Sequence, residues 1–141
     1  MKHFFYKISV ALILSIIPLK NTFCEVFIVA KINQEIITNI DLDFEKRYLI
    51  ALNPNLKKLD QNRIVEYAKS SLINERIKRL EIEKRFVIVP NETLLSKVIA
   101  DIYTGIGVSS LDEFKNYLAQ NNIDLQRVKE KISIEIAWND L

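Results

Sequence analysis

The stretch Ile28-Val29-Ala30-Lys31-Ile32-Asn33-Gln34-Glu35-Ile36-Ile37-Thr38-Asn39-Ile40-Asp41 carries the chain from extended structure into a helix, and its reading decides the fold. Val26–Ile32 is apolar and β-branched, and Glu35-Ile36-Ile37 is a second short extended run. Asn33-Gln34 between them predicts a two-residue hairpin turn, a weaker signal than Asn-Gly. Thr38 followed three residues later by Asp41 resembles a capping box with Asp in place of Glu, which marks a helix start. Phe44, Tyr48 and Leu52 then recur at helical spacing, so the helix runs to about Asn53, where Pro54 stops it.

Working outward, a second helix starts at Asp60 and meets no breaker until about Phe86, a reach of roughly 40 Å at helical rise. Ile64, Ala68 and Leu72 share one face of it, and Ile73, Ile77 and Leu80 continue on an adjacent one. Val87-Ile88-Val89 reads as a short extended link. Pro90 opens a third helix, where its missing N–H costs nothing. That helix carries Leu94, Val98 and Ile102 beside Leu95, Ile99 and Tyr103, and Gly105-Ile106-Gly107 ends it. Ser110 with Glu113 is a capping box for a fourth helix, with Leu111, Phe114 and Leu118 inward. Asn121-Asn122 closes it, and Asp124 caps a fifth with Leu125, Val128, Ile132 and Ile136. The expected architecture is therefore mainly α, about five helices behind a short N-terminal β-hairpin.

Upstream of the hairpin, Lys2, His3 and Lys7 precede an apolar run from Ile8 to Leu19, followed by Lys20, Asn21, Thr22, Phe23 and Cys24. This is the order of a secretory signal peptide, and the apolar core is well short of the ~20 residues that span a bilayer. The expected cut lies between Cys24 and Glu25, with Thr22 and Cys24 at the small-residue positions. A lipoprotein cut before Cys24 would set Phe23 where a small residue is needed. An uncleaved anchor continuing through Val26–Ala30 would be interrupted by Lys20 and Glu25. Residues 1–24 thus read as a leader and 25–141 as one small exported domain.

Lys2, Lys7 and Lys20 all fall in the leader, so 25–141 holds 17 basic and 18 acidic residues. That balance gives no electrostatic footprint for nucleic acid. The only His and the only Cys, His3 and Cys24, also leave with the leader. The remaining residues therefore carry no thiol nucleophile, no Ser-His-Asp triad and no Cys/His metal site. Gly105 and Gly107 are the only glycines and make no phosphate-binding loop. No cofactor and no catalytic residue is expected. The acidic groups Asp41-Asp43-Glu45, Glu81-Glu83 and Asp112-Glu113 are spaced to splay around helices, so they read as caps and solvated faces. Lys57-Lys58 and Arg76-Lys78-Arg79 read as surface charge on exposed turns.

Ile28–Asp41, a strand, an Asn-centred turn, a second strand and a capped helix behind a signal peptide, resembles the opening of the SurA family of periplasmic chaperones. Leu72-Ile73-Asn74-Glu75-Arg76-Ile77 is similar to a stretch of that family's long helix, and Val89-Pro90-Asn91-Glu92 to its next helix start. Ser110–Leu118 matches a short helix whose Phe points inward. Arg79 and Arg85-Phe86 depart from the family pattern. Relatives continue into parvulin-type prolyl isomerase domains, and nothing through Leu141 looks like one. The resemblance implies an ATP-independent chaperone module that binds unfolded outer-membrane proteins. Two alternatives stand beside it: the N-terminal part of a parvulin-type isomerase whose catalytic domain lies elsewhere, and an assembly subunit that dimerises through its last helix or takes up a separately supplied segment.

A holdase needs accessible apolar and aromatic side chains. Phe44, Tyr48 and Phe114 fit the core stripes, whereas Tyr117 and Trp138 sit beside theirs, where a polar tip suits a half-exposed site. Tyr103, Tyr117, Trp138 and Leu141 are accordingly the candidate client-binding residues. In the family a returning segment completes the core, so the Trp138–Leu141 end is expected to border an uncovered groove.

Overall fold

The computed structural model describes residues 25–85, 87–89 and 91–141. The leader, its cut at Cys24, and the expectations placed on Phe86 and Pro90 lie outside the described residues. β1 (Ile28–Ile32) and β2 (Glu35–Thr38) pair antiparallel, with Ile32 opposite Glu35 and an irregularity between Ile28 and Ala30. Asn33 makes the turn at φ +56°, a left-handed conformation that Asn tolerates better than most side-chained residues. The period of two points Ile37 inward, where it is fully buried, and leaves Ile36 exposed. Beyond the strands, the Asn39 N–H donates to the Phe27 carbonyl at 3.0 Å. The Phe27 N–H returns a bond to Asn39 Oδ1 at 2.9 Å.

α1 (Asn39–Leu52) opens on the expected capping box. The Asp41 N–H donates to Thr38 Oγ1 at 3.3 Å, and the Thr38 N–H donates to Asp41 Oδ2 at 3.0 Å. Pro54 then begins a 3-10 turn, Pro54–Lys58, rather than continuing the helix. α2 (Gln61–Glu83) starts under an Asp60 cap and stops short of the expected end near Phe86. α3 (Glu92–Gly105) is capped by Asn91, whose side chain accepts from the Leu94 N–H. Gly107 closes it at φ +82°, with the Val108 N–H bonded to the Tyr103 carbonyl at 2.8 Å.

α4 (Leu111–Gln120) differs in one detail: the Glu113 carboxylate accepts from the Ser109 N–H, at 3.0 Å, instead of from Ser110. Asn122 ends α4 in the left-handed region at φ +54°, and the Ile123 N–H bonds the Leu118 carbonyl at 2.9 Å. That turn drops Ile123 into the core before Asp124 caps α5 (Leu125–Asn139). The described residues thus form five α-helices and a two-stranded sheet.

The main core joins Phe44 and Ala51 of α1, Leu95 and Ile99 of α3, Phe114 and Leu118 of α4, and Ile123, Val128 and Ile132 around α5. Fully burying such a side chain contributes about 1.5–3 kcal/mol, so this cluster dominates the apolar stabilisation. α2 stands outside it. Its buried positions Ile64, Ala68, Leu72, Glu75 and Ile82 run along one straight stripe facing α1 and α5. The expected shift to Ile73, Ile77 and Leu80 does not occur, and Ile77 is 44 % exposed. The reason is that Glu75 occupies the core position, a place the apolar pattern alone assigns to its neighbours. Leu111 is likewise exposed rather than inward, because Phe114 and Leu118 already fill the face of α4 that meets the core.

Candidate functional site

Among the described residues, three concavities lie along the contact between α2 and α5: one of about 520 Å³ is bordered by Arg79, Val87, Ile88, Leu95 and Ile134, and the two others, unlike each other, share Lys131. The first of these two is a groove of about 420 Å³ with an apolar floor of Tyr48, Val98, Ile102, Ile132 and Ile136. Its walls come from α2, through Ser71, Asn74 and Lys78, and from α5, through Glu135 and Asn139. Ile102 and Ile136 are half-buried although they lie against the main core, which leaves apolar surface facing the opening. Across the rim, Lys78 of α2 pairs with Glu135 of α5 at 2.5 Å, and its ammonium lies 5.9 Å from the centre of the Trp138 ring. An exposed pair of this kind contributes about 0–1 kcal/mol, so it borders the groove without locking it.

The second is a polar cavity of about 190 Å³ between α1, α2 and α5. Lys131 of α5 is its pivot. Its ammonium donates to Glu75 Oε2 and stands 2.7 Å from Glu45 Oε2 in an ion pair outside hydrogen-bond geometry. Glu45 is completely buried, and its other oxygen accepts from Ser71 Oγ at 2.7 Å. Glu75 Oε1 faces two guanidinium groups, Arg76 at 3.6 Å and Arg79 at 3.9 Å. Glu75 and Lys131 line both concavities and form the wall between them.

Cations of α5 also lie over the aromatic rings of α1. Arg127 stands 3.9 Å from the centre of the Phe44 ring and Lys131 5.2 Å from that of Tyr48. Burial, with Glu45, Glu75 and Glu135 nearby, pushes the Tyr48 phenol well above its ordinary range, so it stays neutral. At the helix entry, Arg127 pairs with Asp41 at 3.0 Å. Burial pushes the Asp41 carboxyl up. The Thr38 hydrogen bonds and the charges of Arg127 and Arg76 outweigh it, and the group is held below its ordinary value.

The sequence-predicted residues fall in different places. Trp138 is half-buried beside the groove rim, and Leu141, 46 % exposed, lies at the same end of α5. Tyr117 is half-buried, and its hydroxyl donates to the Ala51 carbonyl at 2.7 Å. Tyr103 packs on the core, its ring 5.9 Å from that of Phe114. The structure does not bring these four to one surface feature: Trp138 alone adjoins the groove, through Lys78.

Two expectations about charge are corrected. Glu45 is not on a solvated face, because Lys131 and Ser71 compensate its burial. Arg76, Lys78 and Arg79 are not on exposed turns but within α2, with Arg76 mostly covered. A signal for both was available: a helical step of three or four beyond Leu72 on the stripe of Ile64 and Ala68 reaches Glu75 and Arg76, and α5 carries Lys131 beside Ile132. A further accessible surface surrounds the hairpin, where Val26, Phe27, Ile28, Ile36 and Ile40 are all exposed.

No protein-family model, curated protein or solved structure matches this chain.

Proposed function

We propose that the protein is an exported, ATP-independent chaperone module of SurA-like type that holds unfolded outer-membrane protein segments in the periplasm. The observation that carries the reading is the open groove floored by Tyr48, Val98, Ile102, Ile132 and Ile136. Such a groove offers an apolar seat on which an extended segment can rest. Barrel segments alternate apolar and polar side chains, so one face would rest on the floor while the other meets the charged walls. Trp138 extends the apolar surface at one end of the groove. The exposed apolar residues of the hairpin offer a second accessible surface for the same class of client. The resemblance of Ile28–Asp41 to the SurA opening supports the compartment and the client class together.

The test is fluorescence-anisotropy binding of the purified protein to a urea-unfolded barrel protein diluted into buffer, with an unfolded soluble protein as competitor. Saturable, micromolar-scale binding that prefers the barrel client is expected. A folded sample that binds neither client, or both equally, overturns the reading. Light scattering on the same sample separates a monomeric holdase from a dimerising subunit.

A further inference from the structure

The polar cavity contains a feature that the groove does not use. Arg76 and Arg79 stand one turn apart on α2, and both line the cavity. Their Nε atoms are buried, and among the described residues neither finds a hydrogen-bond acceptor. Glu35 lies 3.8 Å from Arg76 Nε, too far to accept a hydrogen bond, and Glu75 faces the Nη edges instead, 3.6 Å from Arg76 Nη1 and 3.9 Å from Arg79 Nη2. Lys131, the third cation, is already engaged by Glu45 and Glu75. Buried donors left unpaired cost about 1–3 kcal/mol each, and native proteins rarely leave them so without an occupant. A guanidinium is built to offer two parallel N–H groups to a planar oxyanion.

We propose that Arg76 and Arg79 form a binding site for a carboxylate, held at their unpaired Nε edges in the cavity beside the groove. The cavity's size admits a carboxylate head with a short stem. Glu45, Glu75 and Glu130 also line it, so a singly charged group is favoured over a phosphate dianion. The carboxylate could come from a free small acid or from an acidic or C-terminal group of a polypeptide. The site is independent of the chaperone reading, since it concerns a different concavity and a different chemistry.

The test is NMR of the 15N-labelled purified protein, following the Nε–Hε signals assigned through Arg76→Lys and Arg79→Lys. The probes are sodium acetate and a pentapeptide with a free or an amidated C-terminus, at constant ionic strength held with chloride. Both signals are expected to shift saturably with acetate, with the free-acid peptide, or with both. The probe that binds more tightly identifies the source. The amidated peptide and chloride are expected to be silent, and phosphate weaker. Arg79→Gln, checked as folded by its amide spectrum, is expected to bind at least tenfold more weakly. The proposal is overturned if neither carboxylate moves either signal, if chloride reproduces the shifts, or if Arg79→Gln binds like the parent.

Discussion

Lys131 of α5 stands 2.7 Å from the carboxylate of Glu45 on α1, and that carboxylate is completely withdrawn from solvent. The contact joins elements far apart in sequence, and because Lys131 also bonds Glu75 it ties three helices at one atom. α2 contributes none of the residues of the main apolar core, so this node joins the buried stripe of Ile64, Ala68, Leu72 and Ile82 in holding it against its neighbours.

Removing the cation leaves two buried carboxylates facing each other. Lys131→Met is expected to destabilise the fold by about 3–5 kcal/mol, the usual cost of breaking a buried pair. Adding Glu45→Gln and Glu75→Gln to the same chain should recover most of that loss. Urea midpoints at unchanged slope measure both.

The cap at Asp41 sets a pH dependence. Its folded pKa lies below the unfolded value, so its contribution is present above about pH 4 and is lost as pH falls through the folded pKa. Asp41→Asn is therefore expected to be less stable than the parent at pH 7, with the difference shrinking under acid. Paired urea titrations at pH 7 and pH 3 check it; a difference that is constant with pH overturns it.

Tyr117 is expected to act through the fold rather than through a client. Tyr117→Phe removes the donor to the Ala51 carbonyl and should cost about 1 kcal/mol. Client affinity in the anisotropy assay should stay within twofold of the parent. A large loss of affinity at unchanged stability would instead return Tyr117 to the binding surface.

The groove floor gives the opposite signature. Ile102→Asp and Ile136→Asp each set a charge on half-buried apolar surface that faces the opening. Each is expected to weaken client binding at least tenfold while far-UV circular dichroism still reports the helices. Ile36→Asp, on the exposed face of the hairpin, measures the share of binding carried by that second surface.

Asn122 is held left-handed at φ +54° where α4 turns into α5. Asn122→Ala should cost about 1 kcal/mol or somewhat more, since a Cβ without a compensating polar group disfavours that conformation. Asn122→Gly should be close to neutral. Thermal unfolding of the two variants side by side separates backbone strain from loss of the side chain.

Elements defined by neighbours along the chain were legible before any tertiary structure. Thr38 and Asp41, Asp60, Ser110 and Asp124 each satisfy amides within three residues of themselves, so the helix starts follow from local hydrogen-bond chemistry. The hairpin is equally local, because Asn33 reverses a chain whose two arms are apolar and β-branched. The stripe of α2 shows where that logic ends. An apolar pattern cannot count a charged residue as core, so it skips Glu75 and selects Ile77, which the structure leaves exposed.

Local sequence therefore determined the order, type and caps of the elements, through interactions that reach no farther than a helical turn. Tertiary structure alone decided the rest: that Glu45 is buried, that Arg76 and Arg79 face a cavity, and that the groove lies between α2, α3 and α5. A charge can be withdrawn from water only where an opposite charge waits, and Lys131, 86 residues from Glu45 along the chain, is placed there by the packing of α5 alone.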